Sequence, residues 1–285
     1  VWNDSGALKS IRYGASDEET LAQNARSVAT APWGAVAWIE NEDLMFVSNG
    51  MLDSEKKEAP APVRIPGVPE KIQTLHMAFN GSFYALVWSS ATPNGHEIHL
   101  QRIAPDGQKL GSPVRVSALS GSTGKPLVAW DGNHFVVAWT NSTSRSPTTA
   151  DSYHIFIALV PEAGDMPRST RKMEFQSADD DIGLAVTGKE YAIAWVSNIK
   201  QTSAAVFLQR LSVDGNPVGE LVEVTDGTPT ACGAPKVAWI GDGYGVVWHD
   251  DRSQTGNEVY FAFVGCKEAA DPASAPPSAQ DLSAE

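Results

Sequence analysis

The sequence predicts an all-β protein, a five-bladed β-propeller with four antiparallel strands per blade. The first observation is a hairpin pattern from Ala129 to Trp139, where two apolar strands meet at Asp131-Gly132. Aspartate-glycine between alternating apolar runs indicates a hairpin, because glycine tolerates the positive φ that such a turn needs. The second and third observations are that this pattern recurs along the chain and that its copies have a constant length.

Four further copies of the hairpin pattern each end in a tryptophan. The first residue of the pattern and its final tryptophan are ten positions apart in every copy. Successive copies are 50, 51, 56 and 53 residues apart. A period of about 50 residues with four strand signals predicts a propeller rather than a helical solenoid. We expect the repeat tryptophans to pack between blades, where an aromatic side chain buries a large area. These tryptophans are Trp38, Trp88, Trp139, Trp195 and Trp248.

A third and a fourth strand follow each hairpin. The segments 98–103 and 206–211 have the same apolar pattern and predict third strands. The segment 110–117 aligns without gaps on 218–225, and both predict fourth strands. The last unit has a third strand at 259–264 but no fourth strand after it.

The N-terminal segment is predicted to supply the missing strand of the last blade. The pattern Ser10-Ile11-Arg12-Tyr13 is similar to a fourth strand, so residues of about 7–13 would close the ring and remove an exposed sheet edge. A ring of six blades is the alternative. The propeller domain would then span residues 1–266. Residues 267–285 are rich in Ala, Pro, Ser and acidic residues, a composition that predicts a disordered tail.

The charge of the chain narrows the classes of partner. A net charge of −13 and a pI near 4.9 argue against nucleic acid, which needs a basic face, and against anionic membranes. Cations, basic partners and neutral sugars remain compatible with that charge.

No apolar run approaches the roughly 20 residues that span a bilayer. Residue 1 is valine, which suggests that a targeting segment was removed. Cys232 and Cys266 suit an oxidising compartment, and whether they pair stays open.

The last repeat also resembles a known class of repeat. Residues 248–252 (Trp-His-Asp-Asp-Arg), followed by residues 257–262 (Asn-Glu-Val-Tyr-Phe-Ala), resemble the Trp-rich propeller repeats of exported proteins and lipoproteins of myxobacteria and their relatives. The resemblance covers residues of about 7–264. It implies export, a bacterial source and a binding or scaffold role, and it provides no catalytic residues to transfer.

The candidate site residues fall on one face of the predicted ring, where the loops vary in length. Variable loops on a rigid scaffold are common binding sites. Asp179, Asp180 and Asp181 precede the inner strand of the fourth blade. Four more candidates follow the second strand of the neighbouring fifth blade. These four are His249, Asp250, Asp251 and Arg252.

Two functional interpretations of these residues compete with a structural one. Clustered carboxylates could bind a hard cation such as calcium, or act as a pair in glycoside chemistry. Alternatively, Asp250 and Asp251 cap a turn and pair with Arg252, while the three consecutive aspartates form a solvated loop. His76 lies on an inner strand and faces either the channel or the blade. A structural role is expected for it, since the histidines lack metal-ligand spacing.

These observations predict an exported, monomeric, non-catalytic binding or interaction module. Its partner would be a carbohydrate, which would make it a lectin, or another cell-surface protein. We expect it outside the cell, in the periplasm or at the outer membrane, with no transmembrane segment. We expect no cofactor, and calcium is the one ion that the carboxylates could bind. The alternative is a glycoside hydrolase or lyase with carboxylates at the channel mouth, because fold alone does not assign function.

Overall fold

The structure is a computed structural model. It describes residues 2–4, 7–11, 18–32, 34–48, 61–67, 72–93, 95–120, 122–142, 153–177, 181–197, 204–225, 232–253, 256 and 258–265. The predicted tail at 267–285 and Cys266 lie outside the described residues.

Within these residues the strands form six antiparallel sheets, numbered I to VI along the chain. The strands of sheets I to III are β1 (Trp2–Asp4), β2 (Ala7–Ile11), β3 (Glu18–Ala22); β4 (Arg26–Ala31), β5 (Ala35–Glu40), β6 (Asp43–Val47), β7 (Val63–Ile65); and β8 (Ile72–Phe79), β9 (Tyr84–Thr92), β10 (Gly95–Ile103), β11 (Lys109–Ser120). The strands of sheets IV to VI are β12 (Ser122–Thr123), β13 (Leu127–Trp130), β14 (His134–Ser142), β15 (Tyr153–Pro161), β16 (Ser169–Ser177); β17 (Ile182–Val186), β18 (Glu190–Ser197), β19 (Ala205–Ser212), β20 (Pro217–Glu223); and β21 (Cys232–Trp239), β22 (Gly243–Asp250), β23 (Glu258–Gly265).

The hairpin that defines the repeat is present as predicted. Trp130 of β13 pairs with Phe135 of β14 across the turn. The Asp131 carboxylate accepts backbone N–H groups at 2.8 and 2.6 Å, and Gly132 has φ of 100°, which an L side chain rarely adopts. A local side-chain bond and one glycine therefore fix the turn. The prediction of an all-β propeller is confirmed.

Neighbouring sheets pack face to face, with the repeat tryptophans between them. Trp38, Trp88, Trp139 and Trp195 are completely buried, and Trp248 is almost completely buried. Each one lies in the apolar layer that joins its sheet to the preceding sheet. The prediction that these tryptophans form the core is confirmed.

Buried tyrosines add polar contacts between neighbouring sheets. The Tyr191 hydroxyl donates to the Asp131 carboxylate of the preceding sheet at 2.7 Å. The Tyr244 hydroxyl donates to Glu190 at 2.8 Å, and Glu190 also accepts two bonds from Arg210 at 2.9 and 2.6 Å. Burial, followed by the bond to Asp131, raises the pKa of Tyr191 well above its ordinary value. These bonds fix the position of each sheet relative to the one before it.

The N-terminal segment pairs differently from the prediction. Strand β2, which includes Ser10 and Ile11, lies between β1 and β3, and these three strands form sheet I. Strand β23 pairs with β22 within the described residues. Pairing between segments that are close in sequence closes only short loops, which is entropically cheaper than reaching the far end of the chain. The six described sheets correspond to the number in the alternative prediction.

Sheet VI has an exposed apolar outer face. Val259, Phe261 and Phe263 of β23 are 80, 62 and 50% exposed. Phe261 pairs with Val247, in the same register as Leu208 with Ala194 in sheet V. Leu208 is completely buried against sheet VI. The outer face of sheet VI therefore corresponds to the face of sheet V that packs against sheet VI.

None of the described residues forms a helix long and apolar enough to cross a membrane.

Candidate active site

A pocket of about 530 Å³ lies between the inner strands of sheets III to VI. This volume is typical of small-molecule sites. The pocket is lined by residues on or just before these inner strands. The lining residues are Leu75, His76, Lys125, Pro126, Leu127, Val128, Asp181, Gly183, Leu184, Ala234, Lys236 and Val237.

The polar groups of the pocket come from only two positions of the repeat. Lys125 and Asp181 each lie fourteen residues before their repeat tryptophan, and His76 and Lys236 each lie twelve residues before theirs. Residues two apart on a strand point to the same side. Neighbouring blades therefore place these four side chains around one space.

Asp181 is held by an ion pair with the neighbouring blade. Lys125 Nζ lies 2.9 Å from Asp181 Oδ1 and 3.0 Å from Oδ2. The Asp181 side chain is only 16% exposed, whereas that of Lys125 is 54% exposed. The carboxylate is thus fixed in the wall of the pocket, and the lysine reaches it from the solvent side.

His76 is a neutral hydrogen-bond donor at physiological pH. Its Nδ1 accepts the backbone N–H of Val128 at 3.1 Å, which assigns the proton to Nε2 in the neutral ring. Burial, followed by the positive charge of Lys236, lowers the pKa of His76 to about 4. The imidazole can therefore donate a hydrogen bond without carrying charge.

A backbone irregularity positions Lys236. The pairing of β21 with β22 shifts between Gly233 and Lys236, and Ala234 has φ of 48° in the left-handed region. A bulge of this kind changes the direction of the side chains around it and stores strain that the surroundings must support. Gly183 permits the close approach of β17, because a Cβ there would lie 3.0 Å from the Pro235 carbonyl oxygen. Within the described part of the chain, Lys236 has no ion-pair partner.

Asp250 and Arg252 form a buried cluster in which they bond to each other. Asp250 is completely buried and accepts the Trp248 indole N–H at 3.2 Å. It also accepts the Arg252 backbone N–H at 2.8 Å and two guanidinium bonds at 3.0 and 2.6 Å. The guanidinium lies 4.3 Å from the centre of the Tyr260 ring. The structure therefore supports the structural interpretation of this pair.

The other predicted site residues are distributed as follows. Asp181 lines the pocket, and Asp180 lies outside the described residues. His249 and Asp251 are partly buried, and neither lines the pocket. The predicted cluster of aspartates from two blades is not formed by Asp181 and Asp250, because Asp250 is turned into the packed interior.

The calcium site stays a prediction. Among the described residues, no group of three or more His, Cys, Asp or Glu side chains is placed to hold a metal ion. Asp180, which belonged to the predicted site, lies outside those residues.

Three of the polar residues in this pocket were not predicted as site residues. His76 was assigned a structural role, and Lys125 and Lys236 were not considered. The available signal was their distance from the repeat tryptophans, which is fourteen residues for Lys125, as for Asp181, and twelve for His76 and Lys236.

Structural comparison shows the fold. The chain is similar to a protein of unknown function from Dyadobacter fermentans, with a TM-score of 0.57, 10% identity and coverage of 89% of this chain and 80% of the other. It is also similar to a subtype N10 neuraminidase-like protein of A/little yellow-shouldered bat/Guatemala, with a TM-score of 0.50, 11% identity and coverage of 85 and 83%. The phage phi92 endosialidase has a TM-score of 0.50 and 9% identity over 87% of this chain and 52% of its own. No family model matches the chain, and no curated protein matches its sequence.

These neighbours correct the functional prediction. The prediction of a non-catalytic binding module is wrong on this comparison, because the neighbours include an endosialidase and a neuraminidase-like protein. The enzymatic alternative is the better supported of the two predictions. At about a tenth identity the likeness shows the fold alone, and it assigns no role to any residue. The similar structures described above show no link to the Trp-rich repeat proteins.

Proposed function

We propose that this chain is a glycan-cleaving enzyme, a glycoside hydrolase or lyase, whose reaction takes place in the pocket between the inner strands. The observation that supports it is the anchored Asp181 carboxylate, which shares one pocket with Lys125, His76 and Lys236. Convergent polar groups in a preformed pocket are typical of active sites. Propellers similar to this one include proteins named for glycan cleavage.

Asp181 is the proposed base or nucleophile. In hydrolysis, a carboxylate removes a proton from the attacking water or attacks the sugar itself, the glycosidic C–O bond breaks, and the departing oxygen takes a proton from solvent. In elimination, a base removes a proton from the neighbouring carbon, a C=C bond forms as the C–O bond breaks, and the departing oxygen is again protonated from solvent. The two bonds from Lys125 hold the carboxylate in one orientation, which is the positioning that general-base catalysis requires. The neutral His76 can donate to a sugar oxygen.

The experiment is an activity screen with a matched pair of variants. The full chain is incubated with neutral and acidic polysaccharides, and new reducing ends and unsaturated products are both measured. Asp181→Asn should lower the rate by about 100-fold or more, the usual contribution of a general base. Asp242→Asn, in an exposed turn of sheet VI, is the control and should keep the rate. If no polysaccharide is cleaved, or if Asp181→Asn keeps full activity, the proposal is refuted.

A glycan substrate also accords with the proposed export of the chain, because structural polysaccharides and surface glycans lie outside the cytoplasm. Immunodetection in cell fractions of the source organism tests this part. Recovery in the cytoplasm alone would contradict it.

A further inference from the structure

We infer that the pocket selects sugars that bear an anionic group, a carboxylate or a sulfate ester, and that Lys236 binds this group. The inference rests on the proposed function, since it names the class of substrate for the same pocket.

The first argument is the charge of the pocket. Lys125 and Asp181 neutralise each other at 2.9 Å. His76 is uncharged near neutral pH because burial and Lys236 lower its pKa to about 4. Among the described residues that line the pocket, Lys236 therefore leaves a net positive charge, although the chain as a whole has a net charge of −13. A local cation in an acidic protein attracts an anionic group to that point, and its effect is stronger in a partly dry pocket than in water.

The second argument is the way in which the backbone places this lysine. At the same position of the repeat, the two preceding blades carry Leu127 and Gly183. Neither residue carries a charge, and Gly183 lets β17 approach the backbone next to Lys236 closely. The bulge at Ala234, with its left-handed backbone, precedes the lysine directly. Strained backbone of this kind is often found at functional sites.

The third argument is that the ammonium group acts inside the pocket. Lys236 lines the same pocket as His76, and its charge is the second cause of the lowered pKa of that imidazole. The other walls include Leu127, Leu184 and Val237, which offer apolar surface to the C–H groups of a sugar ring. The His76 Nε2–H is a donor for a neighbouring oxygen. A ring with one anionic substituent matches all three types of contact.

The experiment measures binding of single sugars to the full-length chain by calorimetry. The probes are galacturonate, N-acetylneuraminate, galactose 6-sulfate and neutral galactose. We expect at least one anionic sugar to bind about tenfold or more tightly than galactose, as for a hydrogen bond to a charged group. Added salt should weaken that binding. The carboxylated and sulfated probes distinguish the two sources of the anionic group.

Variants test the residue itself. Lys236→Gln should remove the preference for the anionic sugar, and Lys236→Arg should retain it. Lys189→Gln, in the exposed turn between β17 and β18, is the control and should bind like the wild type. Equal binding of galactose and the anionic sugars, an unchanged Lys236→Gln variant, or no binding of any probe would overturn the inference. Anionic binding without cleavage would refute the proposed function alone. Cleavage of neutral glycans only, dependent on Asp181, would refute the inference alone.

Discussion

Replacement of His76 tests how strongly the pocket disfavours the charged, protonated form of its imidazole. The pKa of His76 is lowered from 6.5 to about 4 in the folded chain. Between these values the unfolded chain binds a proton that the folded chain does not bind, so stability falls as pH decreases through this window. The resulting loss in the free energy of unfolding is about 2 kcal/mol between pH 7 and pH 5, and it reaches about 3 kcal/mol near pH 4. His76→Gln removes the titrating group and keeps an acceptor for the Val128 N–H.

The assay is urea unfolding of both proteins at several pH values from 7 to 4.5. The free energy of unfolding of the wild type should fall more steeply than that of His76→Gln, by about 2 kcal/mol over pH 7 to 5. A second variant, Lys236→Gln, should keep most of the wild-type slope, because burial is the larger cause of the shift. Parallel slopes for wild type and His76→Gln would show that the imidazole is solvated and that the pocket does not exclude its charge.

Two further predictions concern stability at neutral pH, measured by chemical unfolding. Phe261→Ala should cost less than about 1 kcal/mol and Leu208→Ala about 3 kcal/mol, because Phe261 is 62% exposed and its equivalent Leu208 is completely buried. Equal losses would mean that another surface covers the outer face of sheet VI. Asp250→Asn should cost about 3 kcal/mol, since it removes the buried carboxylate charge that pairs with the Arg252 guanidinium at 2.6 Å. The exposed Asp242→Asn should change stability by less than about 0.5 kcal/mol, and a similar small loss for Asp250→Asn would contradict the buried pair.

Much of the fold followed from the sequence because packing between sheets repeats. A tryptophan at a fixed distance from a glycine turn has to fill the same space in every blade, so a constant spacing is a physical requirement. The gap-free match of 110–117 to 218–225 has a similar cause. In both copies a glutamine, Gln101 or Gln209, donates to two backbone carbonyls beside a bulge between the third and fourth strands. The pairing of the N-terminal segment did not follow, because any short apolar strand can pair with either neighbour.

The site followed only in part, because charge patterns in a sequence do not show which carboxylates are buried. Asp181, predicted to precede an inner strand, lines the pocket. Asp250 has the same residue type but lies two residues after its tryptophan, where it is buried against Arg252 and the Trp248 indole. The adjacent Arg252 was the signal for the structural role, since a nearby guanidinium satisfies a buried carboxylate.

The repeat also explains why the pocket residues differ between blades while the repeat tryptophans do not. Positions that pack between sheets must preserve volume, because cavities and overpacking both destabilise a close-packed interior. Positions that line the pocket border open space on one side, so packing restricts them less. The position twelve residues before the tryptophan accordingly holds His76, Leu127, Gly183 and Lys236 in four successive blades. In this chain, residue differences at a channel-facing position are therefore a better guide to the site than similarity, and they single out Lys236 as the charge that core packing does not account for.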